Sequence, residues 1–277
     1  MKTPNKSSAS PKPKTKNQKP KTQSLPRVGF YGISGCSGCL LTVLYEDCFK
    51  ELTKLVDIKS FPFIQEDTYK GKLDYVFIEG TVCFDEDIVL INELRKRATK
   101  VVALGTCACF GCVPSIKNFH DKEKIMNFVY PKHNHLKETL PTPIDRHIKV
   151  DYRLPQCPPD KKEIIEFIKT ILTKRKFKPY ENPVCFECRK KGNPCLLEEG
   201  KICLGPITTG GCDALCPTNN ISCYGCRGPN KDANYEAFFE MLKDMGHTNK
   251  EIKDKLETFA GLAFKEETKE DSLWLEK

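Results

Sequence analysis

The strongest constraint on this chain is a 42-residue segment, Cys185 to Cys226, in which eight residues are cysteine. Glycine and proline recur through it, and it has almost no periodic apolar pattern. Such a segment lacks the means to build an ordinary core, so something other than packing must hold it. The spacing is C-x2-C-x6-C-x7-C over Cys185, Cys188, Cys195 and Cys203, then C-x3-C-x6-C-x2-C over Cys212, Cys216, Cys223 and Cys226. Eight thiolates make two four-sulfur sites with none left over. Two metals fit that count: structural zinc, tetrahedral and redox-silent, or 4Fe–4S clusters with four thiolates each. The small residues crowding each thiolate, as in "CLGP" and "CYGCRGP", favour iron–sulfur. They let backbone approach a bulky inorganic cube and aim N–H groups at its sulfurs.

The whole chain of 277 residues has sixteen cysteines. No apolar run approaches the roughly 18–20 residues of a membrane span, and the basic N-terminal stretch lacks the apolar region of a secretory signal. The expected location is the cytoplasm, where thiols stay reduced and many cysteines point to metal. The formal net charge of +8 is also localised. Residues 1–27 hold eight Lys or Arg and no acid, and residues 28–277 carry 37 charges of each sign. The body is neutral, so a nucleic-acid partner is not expected. Residues 1–26 read as a disordered basic tail, best taken as a solvated extension.

Past the tail, "RVGFY" (27–31) reads as a strand, 41–56 as one amphipathic helix with Leu41, Leu44, Tyr45, Cys48, Leu52 and Leu55 near its inner stripe, and "IKSFPF" (58–63) as a weaker strand. "LDYVFIEG" (73–80) and "KVVALG" (100–105) are apolar on both faces, as buried parallel strands are. A charged helix over 85–98 separates them, with Ile88, Leu90, Ile91 and Leu94 turned inward. Residues 113–147 are a polar, irregular excursion holding four of the five histidines, which read as surface or loop residues. A strand at "HIKVDY" (147–152) leads to a helix over roughly 160–172, preceded by Pro158 and Pro159. Helices near 231–245 and 248–260 close the chain. The alternation implies an α/β fold with a parallel, helix-flanked sheet.

Ligands in open α/β sheets bind at the carboxyl ends of the strands. Cys36 and Cys39 follow the first predicted strand in "GISGCSGC", Cys107 follows "VVALG" in "GTCACFG", and Cys157 follows "HIKVDY" in "QCPP". Four thiolates delivered from neighbouring strand ends would make a third site. Cys48 falls on a helix's inner stripe and reads as core. Cys83, Cys109 and Cys112 lie close enough to contend for a ligand position, though a spare thiol is the plainer reading. Glu79, closing the strand in "FIEG", either adjusts this site from behind the ligands, belongs to a proton path, or caps a neighbouring loop. No GxGxxG or P-loop occurs, so nucleotide binding would belong to a partner chain.

Together, "GISGCSGC", "GTCACFG", "QCPP" and the eight-cysteine segment resemble the small, electron-transferring subunit of NiFe hydrogenases. Within that family the chain is most similar to the delta subunit of cytoplasmic, NAD(P)-linked sulfhydrogenases. The resemblance runs from about Arg27 to the C-terminus. It implies a flavodoxin-like domain over 27–180 and a smaller, irregular iron–sulfur domain over 181–277. It also implies three 4Fe–4S clusters: a proximal one on Cys36, Cys39, Cys107 and Cys157; a distal one on Cys185, Cys188, Cys195 and Cys203; and a medial one on Cys212, Cys216, Cys223 and Cys226. The implied partners are the nickel-bearing large subunit and flavin- or NAD(P)-binding and iron–sulfur subunits. Two positions depart from the family pattern: Gln156 stands where glycine is usual before the fourth proximal cysteine, and Gly111–Cys112 replaces a glycine pair.

Three other readings compete. The related subunit of quinone-reducing complexes typically has adjacent cysteines at the first motif and lacks the C-terminal eight. A zinc-stabilised binding protein leaves the strand-end thiols unexplained. A thioredoxin-type dithiol leaves most of the cysteines unexplained.

Overall fold

A computed structural model describes residues 25–65, 69–129, 140–268 and 274; the basic tail predicted over 1–26 falls almost wholly outside them. The first element is β1 (Arg27–Gly32). Two helices follow, α1 (Gly38–Leu44) and α2 (Glu46–Leu55), then β2 (Asp57–Ser60), β3 (Leu73–Glu79), α3 (Asp85–Arg97) and β4 (Ala98–Leu104). Next come α4 (Gly105–Phe110), a 3₁₀ turn over Val113–Phe119, α5 (Lys122–Val129), β5 (Tyr152–Leu154) and α6 (Lys161–Leu172). The rest consists of α7 (Val184–Lys190), α8 (Leu215–Thr218), α9 (Tyr235–Asp244) and α10 (Asn249–Thr268), the last with non-helical backbone at Ala260.

All five strands are parallel, in the order β2-β1-β3-β4-β5. This is the flavodoxin-like order, in which the direction of winding across the sheet reverses between β1 and β3 and leaves a crevice at their carboxyl ends. The register aligns Phe30 with Phe77 and Tyr31 with Ile78; it then aligns Phe77 with Val102 and Ile78 with Ala103. Because side chains alternate along a strand, Phe30, Phe77 and Val102 enter one core with Leu52, Phe167 and Ile168. Tyr31, Ile78 and Ala103 enter the opposite one with Ile91 and Leu94. A third core joins α9 and α10 to Val184, Leu204 and Ile207, and it includes the cysteines Cys203 and Cys223.

Several sequence expectations are corrected. The single helix over 41–56 is two, because Tyr45 adopts extended backbone (φ −56, ψ 134) between them. Leu41 and Tyr45 consequently face outward, 55% and 61% exposed, while Cys48 and Leu52 stay buried. The last strand is short and begins at Tyr152, since the preceding Asp151 spends its side chain on Arg95, Lys100 and the Val101 amide. Pro158 and Pro159 precede α6, in line with the sequence reading. Asp160 is its N-cap, accepting from the amides of Lys162 and Glu163. No described helix is long and apolar enough to cross a membrane.

Candidate functional site

The crevice at the strand ends holds a cavity of about 130 Å³ lined by Cys36, Cys39, Cys107 and Cys157, together with Glu79, Gly80 and Thr106. A space of some 10–15 Å³ admits one water, so this cavity suits a polyatomic group better than a single ion. Among the described residues, no three His, Cys, Asp or Glu side chains are gathered to hold one metal ion. The thiols stand around a space rather than on a point.

Local backbone explains how they get there. β1 ends at Gly32, and Ser37 takes the left-handed conformation (φ 61) just before α1, turning the chain between Cys36 and Cys39. Glu79, at the end of β3, is buried. Its Oε2 accepts from the amides of Cys39 (3.0 Å) and Leu40 (3.3 Å). These are N-terminal N–H groups of a helix, which a carboxylate suits. Its Oε1 is buried without a hydrogen-bond partner, and burial pushes the carboxyl up against the bonds that favour its ionised form. The loop-capping reading of Glu79 therefore describes its contacts, and the loop it caps is the one that carries Cys39.

Gly105 opens α4 at φ +82, where a Cβ would lie 2.3 Å from Cys39 Sγ. Only glycine lets this backbone lie against the thiol. At the next motif, Gln156 keeps the glycine-type conformation, φ +106, that the family pattern would favour. Its carbonyl accepts from the Thr106 amide (3.2 Å), which ties the Cys157 loop to the Cys107 helix. Of the contending cysteines, Cys109 is buried and bonds the Ala103 carbonyl (3.6 Å). Cys112 is different. It is 1% exposed, and its thiol hydrogen-bonds both Cys107 and Cys157, which holds those two down and its own pKa up.

A second cavity, of about 120 Å³, is lined by Cys212, Cys216, Cys223 and Cys226 and also by Gln156 and Cys157. It therefore adjoins the first. The Cys157 amide donates to the Cys226 sulfur, and Thr106 Oγ1 donates to the Cys226 carbonyl (2.6 Å). At the far end, the Cys223 amide donates to Cys203 Sγ (3.2 Å), which belongs to the third set. Cys185, Cys188, Cys195 and Cys203 neighbour one another electrostatically. Gly205 lies between them, and a Cβ there would stand 3.1 Å from Cys185 Sγ and 3.6 Å from Cys203 Sγ. The three sets thus form a row, with the Cys212–Cys226 set in the middle. Cys36 and Cys195 are exposed at its two ends.

The chemistry of the donors fits a cationic group. Burial pushes up the thiols of Cys39, Cys203, Cys212, Cys216 and Cys223, and those of Cys185 and Cys226 to about 12. Ionised thiolates here need positive charge beside them, and metal ligation deprotonates a thiol outright. The glycine cradles and amide-to-sulfur bonds are what an iron–sulfur cluster requires of its surroundings. Sequence reasoning missed Gly105, Thr106 and the buried Arg227. A glycine directly after a strand was the signal for the first. Nothing local marks the arginine.

Residues 36–171 match the family described as NADH ubiquinone oxidoreductase, 20 Kd subunit. The chain is 33% identical over 236 residues to the delta subunit of sulfhydrogenase 2 of Pyrococcus furiosus, covering 84% of this chain and 99% of that one. It is also 33% identical over 265 residues to a subunit of the F420-non-reducing hydrogenase of Methanocaldococcus jannaschii, covering 83% and 92%. Among solved structures, the [NiFeSe]-hydrogenase of Dm. baculatum matches with a TM-score of 0.53 at 16% identity, covering 78% of this chain and 99% of that one; this likeness concerns the fold.

Proposed function

Because the chain belongs to the family of NiFe hydrogenase small subunits, we propose that it relays electrons through three 4Fe–4S clusters. These would sit on Cys36, Cys39, Cys107 and Cys157; on Cys212, Cys216, Cys223 and Cys226; and on Cys185, Cys188, Cys195 and Cys203. The observation that carries this reading is the row of three thiol sets linked by Cys157 to Cys226 and by Cys223 to Cys203. When bound, such clusters accept and release single electrons at potentials set by ligands, hydrogen bonds to sulfur and burial. The chain's own residues do the rest. Glu79 fixes the turn that presents Cys39, and Gly105 and Gly205 let backbone close on the sulfurs. The amides of Cys157 and Cys223 stabilise negative charge on the neighbouring set.

The hydrogen-splitting centre belongs to a nickel-bearing large subunit, which would cover the Cys36 end. Leu41 and Tyr45, exposed on and just after α1 beside that end, would be buried there. The Cys195 end would face a flavin- or NAD(P)-binding or iron–sulfur partner. In this reading residues 27–180 and 181–277 divide the work, the first meeting the catalytic subunit and the second the acceptor, in the cytoplasm. Anaerobically purified protein should be brown and contain about twelve iron atoms per chain, three clusters of four. Colourless protein carrying stoichiometric zinc would overturn the relay, and co-purification of a nickel-containing subunit tests the partner.

A further inference from the structure

In the wall of the second cavity lies a charged group that ligation does not use. Arg227 follows Cys226 in sequence and is 3% exposed. Its guanidinium makes a bidentate pair with Glu163 on α6, Nη1 to Oε2 and Nη2 to Oε1 at 2.8 Å each. Nη1 also donates to Gln156 Oε1 (3.1 Å) and to the Pro155 carbonyl (3.5 Å), and Nε donates to the Gly210 carbonyl. Gly211 leaves room for it: at φ +97, a Cβ there would lie 2.7 Å from Nη2. Arg227 and Gln156 both line the second cavity, beside Cys226 and Cys157.

An arginine is always charged, and low local dielectric lets a buried charge act far more strongly than an exposed one. A fixed cation beside a cluster stabilises the form carrying the extra electron. Its carboxylate partner works in the opposite sense. We propose that Arg227 and Glu163 are a built-in pair of opposed charges that sets the reduction potential of the cluster on Cys212, Cys216, Cys223 and Cys226. In the same place, Arg227 positions the Cys157 loop through Gln156. Arg227 is thus a positioning residue for electron transfer, and the bond to Gln156 explains how a non-glycine residue keeps the left-handed turn before Cys157. No bond is made or broken and no electron is added; only the electron's preferred resting place changes.

This inference rests on the three-cluster reading and has a test of its own. The purified hydrogenase complex containing this chain is titrated potentiometrically with EPR detection, and iron per chain is measured alongside. Glu163→Gln should raise the middle cluster's midpoint potential, and Arg227→Gln should lower it. The double variant, losing one charge of each sign, should return toward wild type, and Arg227→Lys should lie close to wild type. A purely structural role predicts damage that grows in the double variant, with no opposition of sign. If Arg227→Gln loses iron, Glu163→Gln and the double variant decide. Full iron with a Glu163→Gln potential that stays put or falls overturns the inference while leaving the relay intact. Absence of iron from the unmodified chain overturns the relay itself.

Discussion

The sheet region and the cysteine-rich region solve the same problem with different means. The sheet is held by alternation. Phe30, Phe77 and Val102 face one core and Tyr31, Ile78 and Ala103 the other, and burying a large apolar side chain contributes about 1.5–3 kcal/mol. Between Cys185 and Cys226, Leu196, Leu204 and Ile207 are the main large buried side chains. What they pack against is mostly borrowed: Phe238, Phe239 and Leu242 of α9 and Leu256 and Phe264 of α10. Two cysteines of the row, Cys203 and Cys223, lie inside that core. The contrast implies that the first region folds on its own packing, whereas the second is completed by what its thiols bind.

The largest expected effect breaks the two regions apart. Anaerobic removal of iron from the full chain should abolish amide protection across 185–226 and leave that of β1, β3 and β4 in place, read by hydrogen exchange. Structural metal sites carry folding free energy of this kind. Loss of protection in both regions together would show that the sheet also depends on its cluster. The reverse perturbation is Phe77→Ala. Phe77 is fully buried, stacked on Phe30 at 4.8 Å between ring centroids and edge-on to Phe167 at 5.9 Å. Truncation should cost about 3–5 kcal/mol, measured from the sheet's urea midpoint, with the iron bound by the C-terminal eight cysteines retained.

A smaller change sharpens the boundary between the regions. Gly105→Ala places a Cβ against Cys39 Sγ at a backbone φ of +82. The conformation alone costs about 1–3 kcal/mol. The expected result is loss of about four of twelve iron atoms with the sheet still folded. Full iron in this variant would show that the Gly105 backbone yields.

The difference between the regions also explains what could be read from residue patterns. Both-faces-apolar runs such as "VVAL" specify buried parallel strands, and dense cysteine spacing specifies thiolate sites; both kinds of signal lie within a few residues. Tyr45, where the helix breaks, lies under the Lys161 ammonium, far away along the chain, so a helical stripe read locally shows one helix where two form. The start of β5 is decided by Asp151 meeting Arg95 and Lys100. Arg227 meets Gln156 and Glu163 only after the chain has folded back by 71 and 64 residues. Cys112 is a departure visible in the sequence, but its contact with both Cys107 and Cys157 forms only where the Cys157 loop meets α4. Long-range polar contacts leave no periodic trace, and they set much of the site's detail.

The smallest expected effect concerns acid. Burial by itself would raise the Asp151 carboxyl, but the Lys100 ammonium, the Val101 amide and the Arg95 guanidinium outweigh it and hold the group below the usual aspartate range. The unfolded chain has the ordinary value of about 3.9, so in the acid range it binds a proton that the folded chain does not. Stability from this group is therefore complete above that pH and is lost as pH falls through the folded value. Asp151→Asn should destabilise the sheet by about 1–2 kcal/mol near neutrality, and its stability should fall less steeply below about pH 4 than that of the unmodified chain. Hydrogen exchange of β4 amides across pH measures this without reference to iron. An unchanged acid slope would mean that Arg95 and Lys100 find other partners, and that the sheet edge is held by packing alone.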